Sequence, residues 1–229
     1  EYAMCTMITG ERPYPSLFGV TAHELAHAWF QHILANNEAK HPWMDEGFTE
    51  YITHLAEESV IGNPSEFPHK SSYDRYYLLV NSGLEQPQTI HSDRYDFNFA
   101  YGATSYSKGS VFMAQLEYII GKDNMAKTIK RYYDEFKFKH PTPNDFKRVA
   151  EKVSDMELEW YLNDWTRTAN TIDYGLDVSS LSDDRSISVI RKGRMPMPLE
   201  IKVSYDDDSS LLYYIPVSYT HLTLPTTYT

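Results

Sequence analysis

At 229 residues the chain has room for one large or two small domains. A formal net charge of −11 and a pI near 5.2 argue against a nucleic-acid or anionic-membrane surface. A single cysteine, Cys5, rules out an intrachain disulfide framework, and no apolar run reaches the length of a membrane span.

Residues 1–8 read as a short strand, closed by Thr9-Gly10-Glu11-Arg12-Pro13. Phe18-Gly19-Val20-Thr21-Ala22 then leads into His23-Glu24-Leu25-Ala26-His27, and Leu25, Ala26, Ala28, Trp29 and Phe30 predict a largely buried helix. Residues four apart on a helix share a face and lie about 6 Å apart along its axis, so His23 and His27 can share one metal. Glu24 points to the neighbouring flank, where it can reach a water on that metal without being a ligand, the place of a general base. Two histidines and a glutamate inside a buried helix are costly unless something pairs with them, and a metal supplies the pairing.

After the polar loop 36–42, a helix is predicted from about 44 to 61, with Phe48, Tyr51, Ile52, Leu55 and Ala56 on one side and a stop at Gly62-Asn63-Pro64. Glu46, separated from His27 by 18 residues, is the third ligand of choice. Two imidazoles and one carboxylate leave a fourth position open, which distinguishes a catalytic zinc site from a closed structural one. Glu50, one turn beyond Glu46, can accept the second N–H of a zinc histidine; the alternative is a solvated helix carboxylate.

Residues 68–82, rich in tyrosine, predict a helix. The polar stretch 83–100 predicts a long loop near a substrate cleft, with His91 as a solvated loop histidine. Tyr101 opens a helix that runs to Ile120 and stops at Gly121. Helices over 124–136, 143–153 and 155–168 follow, the second introduced by Thr142-Pro143-Asn144-Asp145, with Trp160, Tyr161 and Trp165 as packing residues. Near Asn170 the period changes. Strands are predicted at 186–190, 199–205 and 211–215, with Leu199, Ile201, Val203 and Tyr205 on one face and Glu200, Lys202 and Ser204 on the other. Asp206-Asp207-Asp208-Ser209 is the turn between the last two. Residues 217–229 fit no element and are set aside as a non-native tail.

The strings Val20-Thr21-Ala22-His23-Glu24-Leu25-Ala26-His27-Ala28-Trp29-Phe30 and Trp43-Met44-Asp45-Glu46-Gly47-Phe48-Thr49-Glu50-Tyr51 resemble the gluzincin aminopeptidases typified by aminopeptidase N and leukotriene hydrolase. Members of that family carry the same gap of 18 residues and an Asn/Asp-Glu-Gly-Phe-type start to the second helix. Gln31-His32 departs from the Gly-Asn that many members have after Trp-Phe; it lies outside the ligand set and is expected to affect the local helix end only. The resemblance implies a mainly α, thermolysin-like zinc metallopeptidase catalytic domain over 1–170, its amino-terminal part missing, and the start of a small β-sandwich over 171–216. It also implies one Zn2+ on His23, His27 and Glu46, with Glu24 as general base.

Ser105-Tyr106-Ser107-Lys108-Gly109 resembles the family's Val/Ser-Tyr-x-Lys-Gly motif, whose tyrosine donates a hydrogen bond to the tetrahedral oxyanion, and that role carries to Tyr106. Glu1-Tyr2 matches the last two positions of a Gly-x-Met-Glu-Asn/Tyr motif, whose glutamate binds the free α-amine of the substrate. Glu1 is accordingly expected to bind that amine, or else to be an ordinary solvated glutamate. The partners implied are peptides with a free amino terminus and the missing amino-terminal and carboxy-terminal domains of the same chain. Three other readings stand beside an aminopeptidase: an endopeptidase with the same metal set and no amine anchor, the epoxide hydrolase activity of one branch of the family, and a silent peptide-binding homologue. The presence of every expected catalytic residue argues against the last.

Overall fold

The structure is a computed structural model that describes residues 1–61, 67–179, 186–217 and 221–225. It divides into two compact units, Glu1–Ala169 and Asn170–Thr229. Among the described residues, no helix is long and apolar enough to cross a membrane.

The first unit is helical: α1 Tyr14–His27, α2 Phe48–Ile61, α3 Lys70–Ser82, α4 Asn98–Gly102, α5 Gly109–Ile120, α6 Lys122–Phe136, α7 Pro143–Ser154 and α8 Glu159–Arg167. Local signals set several of the ends. Gly83 takes the left-handed conformation after α3 (φ 71°), where a glycine pays no Cβ penalty. Thr142 and Asp145 form a reciprocal capping box at the start of α7, with Pro143 in its first turn. Asp155 also turns left-handed (φ 57°) and ends α7. The last helix therefore begins at Glu159, and the expected start at Asp155 is corrected.

Three turns are wound as π-helix: Ala28–Ile33 after α1, Trp43–Gly47 before α2, and Ala103–Lys108 between α4 and α5. Such turns are rare and concentrate at functional sites. Gln31-His32 falls in the first of them, and the Gln31 side chain lies outside the described residues. The predicted stop at Gly62-Asn63-Pro64 lies outside them as well.

An aromatic core supports the second and third of these turns. Trp43 packs on Phe112 with ring centres 5.0 Å apart, Phe48 on Phe146 at 4.7 Å, and Phe112 on Tyr161 at 4.9 Å. Trp43, Phe48, Phe112, Phe146, Tyr161 and Trp165 are all essentially sealed from water. The turn Trp43–Gly47 meets the start of α5 at a glycine pair: a Cβ on Gly47 would stand 2.5 Å from the Gly109 Cα, and one on Gly109 would stand 2.7 Å from the Gly47 Cα. The two backbones touch because neither residue has a side chain.

Two expectations for the amino-terminal part are corrected. Residues 1–8 do not form a strand; a single bridge joins Tyr2 to Cys5, and residues 2–10 are exposed. A lone strand without a paired neighbour leaves its backbone groups to water and gains little. The helix after the first histidine is not buried all round either. Ala26, His27 and Phe30 face inward, while Leu25 is 52% and Trp29 48% exposed and Ala28 lies open, because α1 packs against α2 through one face.

The second unit is built of strands β1 Tyr174–Asp177, β2 Ser186–Arg191, β3 Leu199–Ser204, β4 Ser210–Ile215 and β5 His221–Pro225. β1, β2 and β5 form one antiparallel sheet in the order β1-β2-β5, and β3 pairs with β4 as a hairpin with Leu199 opposite Ile215. β3 alternates as its sequence predicts, with Glu200, Lys202 and Ser204 exposed. Residues 221–225, set aside on sequence grounds, pair along β2. Their apolar-polar alternation fits a strand, and an open strand edge is a template for pairing.

Replacing Gly109 with alanine forces a methyl group into the Gly47 backbone. The variant is expected to lose about 1–3 kcal/mol of stability, measured as a shift of the urea midpoint at constant m-value. An unchanged midpoint would show that the two turns do not meet at these residues.

Candidate metal centre

α1 presents His23 and His27 one turn apart, and the π turn before α2 presents Asp45 and Glu46 to the same face. Three ligand atoms converge. His23 Nε2 is 3.1 Å from His27 Nε2, His23 Nε2 is 3.2 Å from Glu46 Oε2, and His27 Nε2 is 3.3 Å from Glu46 Oε2. Zinc bonds of about 2.0–2.1 Å at tetrahedral angles separate two ligand atoms by about 3.3 Å. The triangle of one carboxylate oxygen and two imidazole nitrogens therefore has the dimensions of three corners of a zinc site.

The other nitrogen of each ring is held. Carboxylates accept, so His27 Nδ1–H donates to Asp45 Oδ1 at 2.7 Å and His23 Nδ1–H to Glu50 Oε2 at 3.1 Å. These bonds fix each ring's tautomer and aim both Nε2 atoms at the common point. Thr49 Oγ1 lies 3.4 Å from His27 Nδ1. Glu50 in turn stands 3.5 Å from His54 Nε2, which meets Ser72 Oγ at 3.0 Å.

The electrostatics favour a cation at this point. Burial opposes a charge on His23, but its hydrogen bonds to Glu46 and Glu50 outweigh that and raise its pKa to about 9. Burial likewise opposes a charge on His27, and Asp45 and Glu46 raise it to about 10. Glu46 is driven the other way: burial would raise it, yet His23, His27 and the Tyr106 hydroxyl bring it to about 2. Burial lifts Asp45 to about 6 against its bond to His27, and burial with the Asp45 charge lifts Glu1 to about 7. The acidic surroundings that favour a positive charge on these rings favour a divalent cation on the same atoms, since metal binding takes the place of the protons.

The remaining expected residues gather at this cluster. The Tyr106 ring stacks on His23 with centres 5.6 Å apart and planes 10° from parallel, and its hydroxyl reaches Glu46. Burial and the Glu46 charge push the phenol well above its usual range, which keeps it a neutral donor. Glu24 Oε2 lies 3.0 Å from the backbone nitrogen of Glu1, and a Glu1 carboxylate oxygen lies 3.5 Å from His27 Nε2. Glu1, His27 and Asp45 make a second group of potential ligands that overlaps the first.

Two residues of the cluster escaped the sequence reading. Asp45 was read only as part of a helix start, and its one signal was its place beside Glu46. Tyr101 feels the same negative cluster: burial, then the charges of Glu46, Asp45 and Glu1, raise its pKa.

A His-Glu-x-x-His helix whose third ligand is a glutamate from the following helix defines the gluzincin class of metal sites. The chain belongs to peptidase family M1, whose domain description, "Peptidase family M1 domain", matches residues 7–165. It is similar to leucine aminopeptidase 2 of Coccidioides immitis, 30% identical over 162 residues that cover 64% of this chain and 25% of that protein. It is also similar to mouse aminopeptidase B, 30% identical over 177 residues, 69% of this chain and 27% of that protein. The chain thus spans about a quarter of the length of these curated relatives. In fold it is similar to the M1 zinc metallopeptidase of Deinococcus radiodurans, with a TM-score of 0.56 at 20% identity over 68% of this chain and 34% of that one. The fold is mainly α, of the thermolysin-like catalytic type.

Asp45→Ala frees the His27 ring to rotate and removes a charge beside the cluster. Its affinity for zinc is expected to fall about 10- to 100-fold, read by competition against a chelating dye. Affinity equal to that of the unaltered protein would show that Asp45 does not orient His27.

Proposed function

We propose that this chain carries the catalytic part of a zinc aminopeptidase, with one zinc ion per chain held by His23, His27 and Glu46. The observation that carries the reading is the triangle of ligand atoms, with edges of 3.1, 3.2 and 3.3 Å. Zinc, when bound there, supplies an acidified water and polarises the carbonyl of the scissile bond. Glu24 takes the proton from the attacking water and delivers it to the leaving amine. The Tyr106 hydroxyl donates to the carbonyl oxygen as charge builds on it, an interaction strongest in the transition state. Asp45 and Glu50 hold the ligand rings still, so the site does not reorganise during the reaction.

In this reading Glu1 pairs with the α-amine of the substrate and leaves room for one residue before the scissile bond, which makes the enzyme an exopeptidase. Its half-buried carboxylate, 3.5 Å from His27 Nε2, supports that assignment. The substrates are peptides with a free amino terminus. The catalytic domain is residues 1–170, and 171–216 begin a β-sandwich domain.

One peptide, offered in free and N-acetylated forms to the full-length protein, tests the reading by product mass spectrometry. Only the free form is expected to lose residues stepwise from its amino terminus. Glu24→Gln is expected to lower kcat by about 10²- to 10⁴-fold, and Tyr106→Phe by about 10²- to 10³-fold. Internal cleavage of both forms would make the protein an endopeptidase, and no cleavage of either would leave a silent binding domain.

A further inference from the structure

Lys108 closes the π turn that carries Tyr106, and it is 0% exposed. A lysine in so short a turn ordinarily runs its stem to the surface and keeps its ammonium in water. This one points inward to three partners. Its Nζ forms an ion pair of 2.8 Å with Glu85, donates to the Thr168 carbonyl at 3.3 Å, and lies 5.9 Å from the centre of the Tyr76 ring. The partners come from three places: the loop after α3, the residue that follows α8, and α3 itself. Gln88, also 0% exposed, holds the end of the turn from the same loop. In the orientation that satisfies both ends of its amide, its oxygen accepts from the Gly109 N–H at 3.2 Å and its nitrogen donates to the Trp165 carbonyl at 3.1 Å.

A buried ion pair gains little stability over well-packed apolar side chains of the same volume. Its bonds have direction, however, and here they pin one turn. The same turn bears the phenol that stacks on His23 and reaches Glu46. We infer that Glu85, Lys108 and Gln88 form a clamp that fixes the turn bearing Tyr106, and that they are positioning residues for its hydroxyl. The inference rests on the reading of Tyr106 as a donor to the carbonyl oxygen. A catalytic group misplaced by about 1 Å loses about a hundredfold in rate, which gives such a clamp its purpose.

Removing one charge alone strands the other in the interior, so the test replaces both, as Glu85→Leu with Lys108→Met in the full-length, zinc-loaded protein. Gln88→Met, which loosens the second grip and leaves the ion pair intact, is read in the same way. Hydrogen–deuterium exchange over residues 103–108 is expected to rise about tenfold or more while α1 stays protected. The kcat is expected to fall about tenfold or more with KM moved less than about threefold, and this loss disappears in a Tyr106→Phe background. Unchanged exchange over 103–108, an unchanged kcat, or a loss that multiplies fully onto that of Tyr106→Phe overturns the clamp. If Tyr106→Phe alone leaves kcat untouched, the role given to the phenol fails by itself, and the exchange over 103–108 still decides whether the turn is clamped.

Discussion

Two imidazole nitrogens and a carboxylate oxygen about 3.2 Å apart keep that arrangement only if the two rings are gripped from behind. Asp45 and Glu50 provide that grip, one on each imidazole. Both lie on the same short stretch as Glu46, so one piece of backbone supplies a candidate ligand and both groups that hold the rings. The placing of that stretch against α1 is consequently the constraint from which the site follows. The aromatic core beneath Trp43 and Phe48 and the bare contact of Gly47 with Gly109 hold it there.

The candidate ligands were legible because a spacing of four in a helix is a geometric statement by itself. His23 and His27 must share a face, and an intervening polar loop brings the next helix back with Glu46 on it. Glu50 was legible for the same reason, one turn on from Glu46. Asp45 was not. Neighbouring residues on an α-helix point about 100° apart, so a helical reading assigns adjacent carboxylates to different surroundings. The π winding of Trp43–Gly47 alters those directions, and both carboxylates reach the same histidine. No periodicity in the sequence announces that winding.

The loop after α3 carries a similar lesson. Its polar composition predicted a surface near a cleft, yet Glu85 and Gln88 point inward to Lys108 and Gly109. Composition reports how polar a stretch is, and pairing inside the fold decides whether polarity means exposure. The exposed Leu25 and Trp29 show the converse, since these apolar residues on the outer flank of α1 and of the turn after it stay open. At the other end of the chain, residues 221–225 were set aside with the tail although they alternate, and β2 supplies the edge on which they pair.

The proposed site stands or falls on two imidazoles binding one ion. Zinc K-edge X-ray absorption on the full-length protein, loaded with one equivalent of metal, counts them directly. The account predicts two imidazole ligands with nitrogen and oxygen bonds of about 2.0–2.1 Å. A single imidazole, as the overlapping group of Glu1, His27 and Asp45 would give, contradicts it.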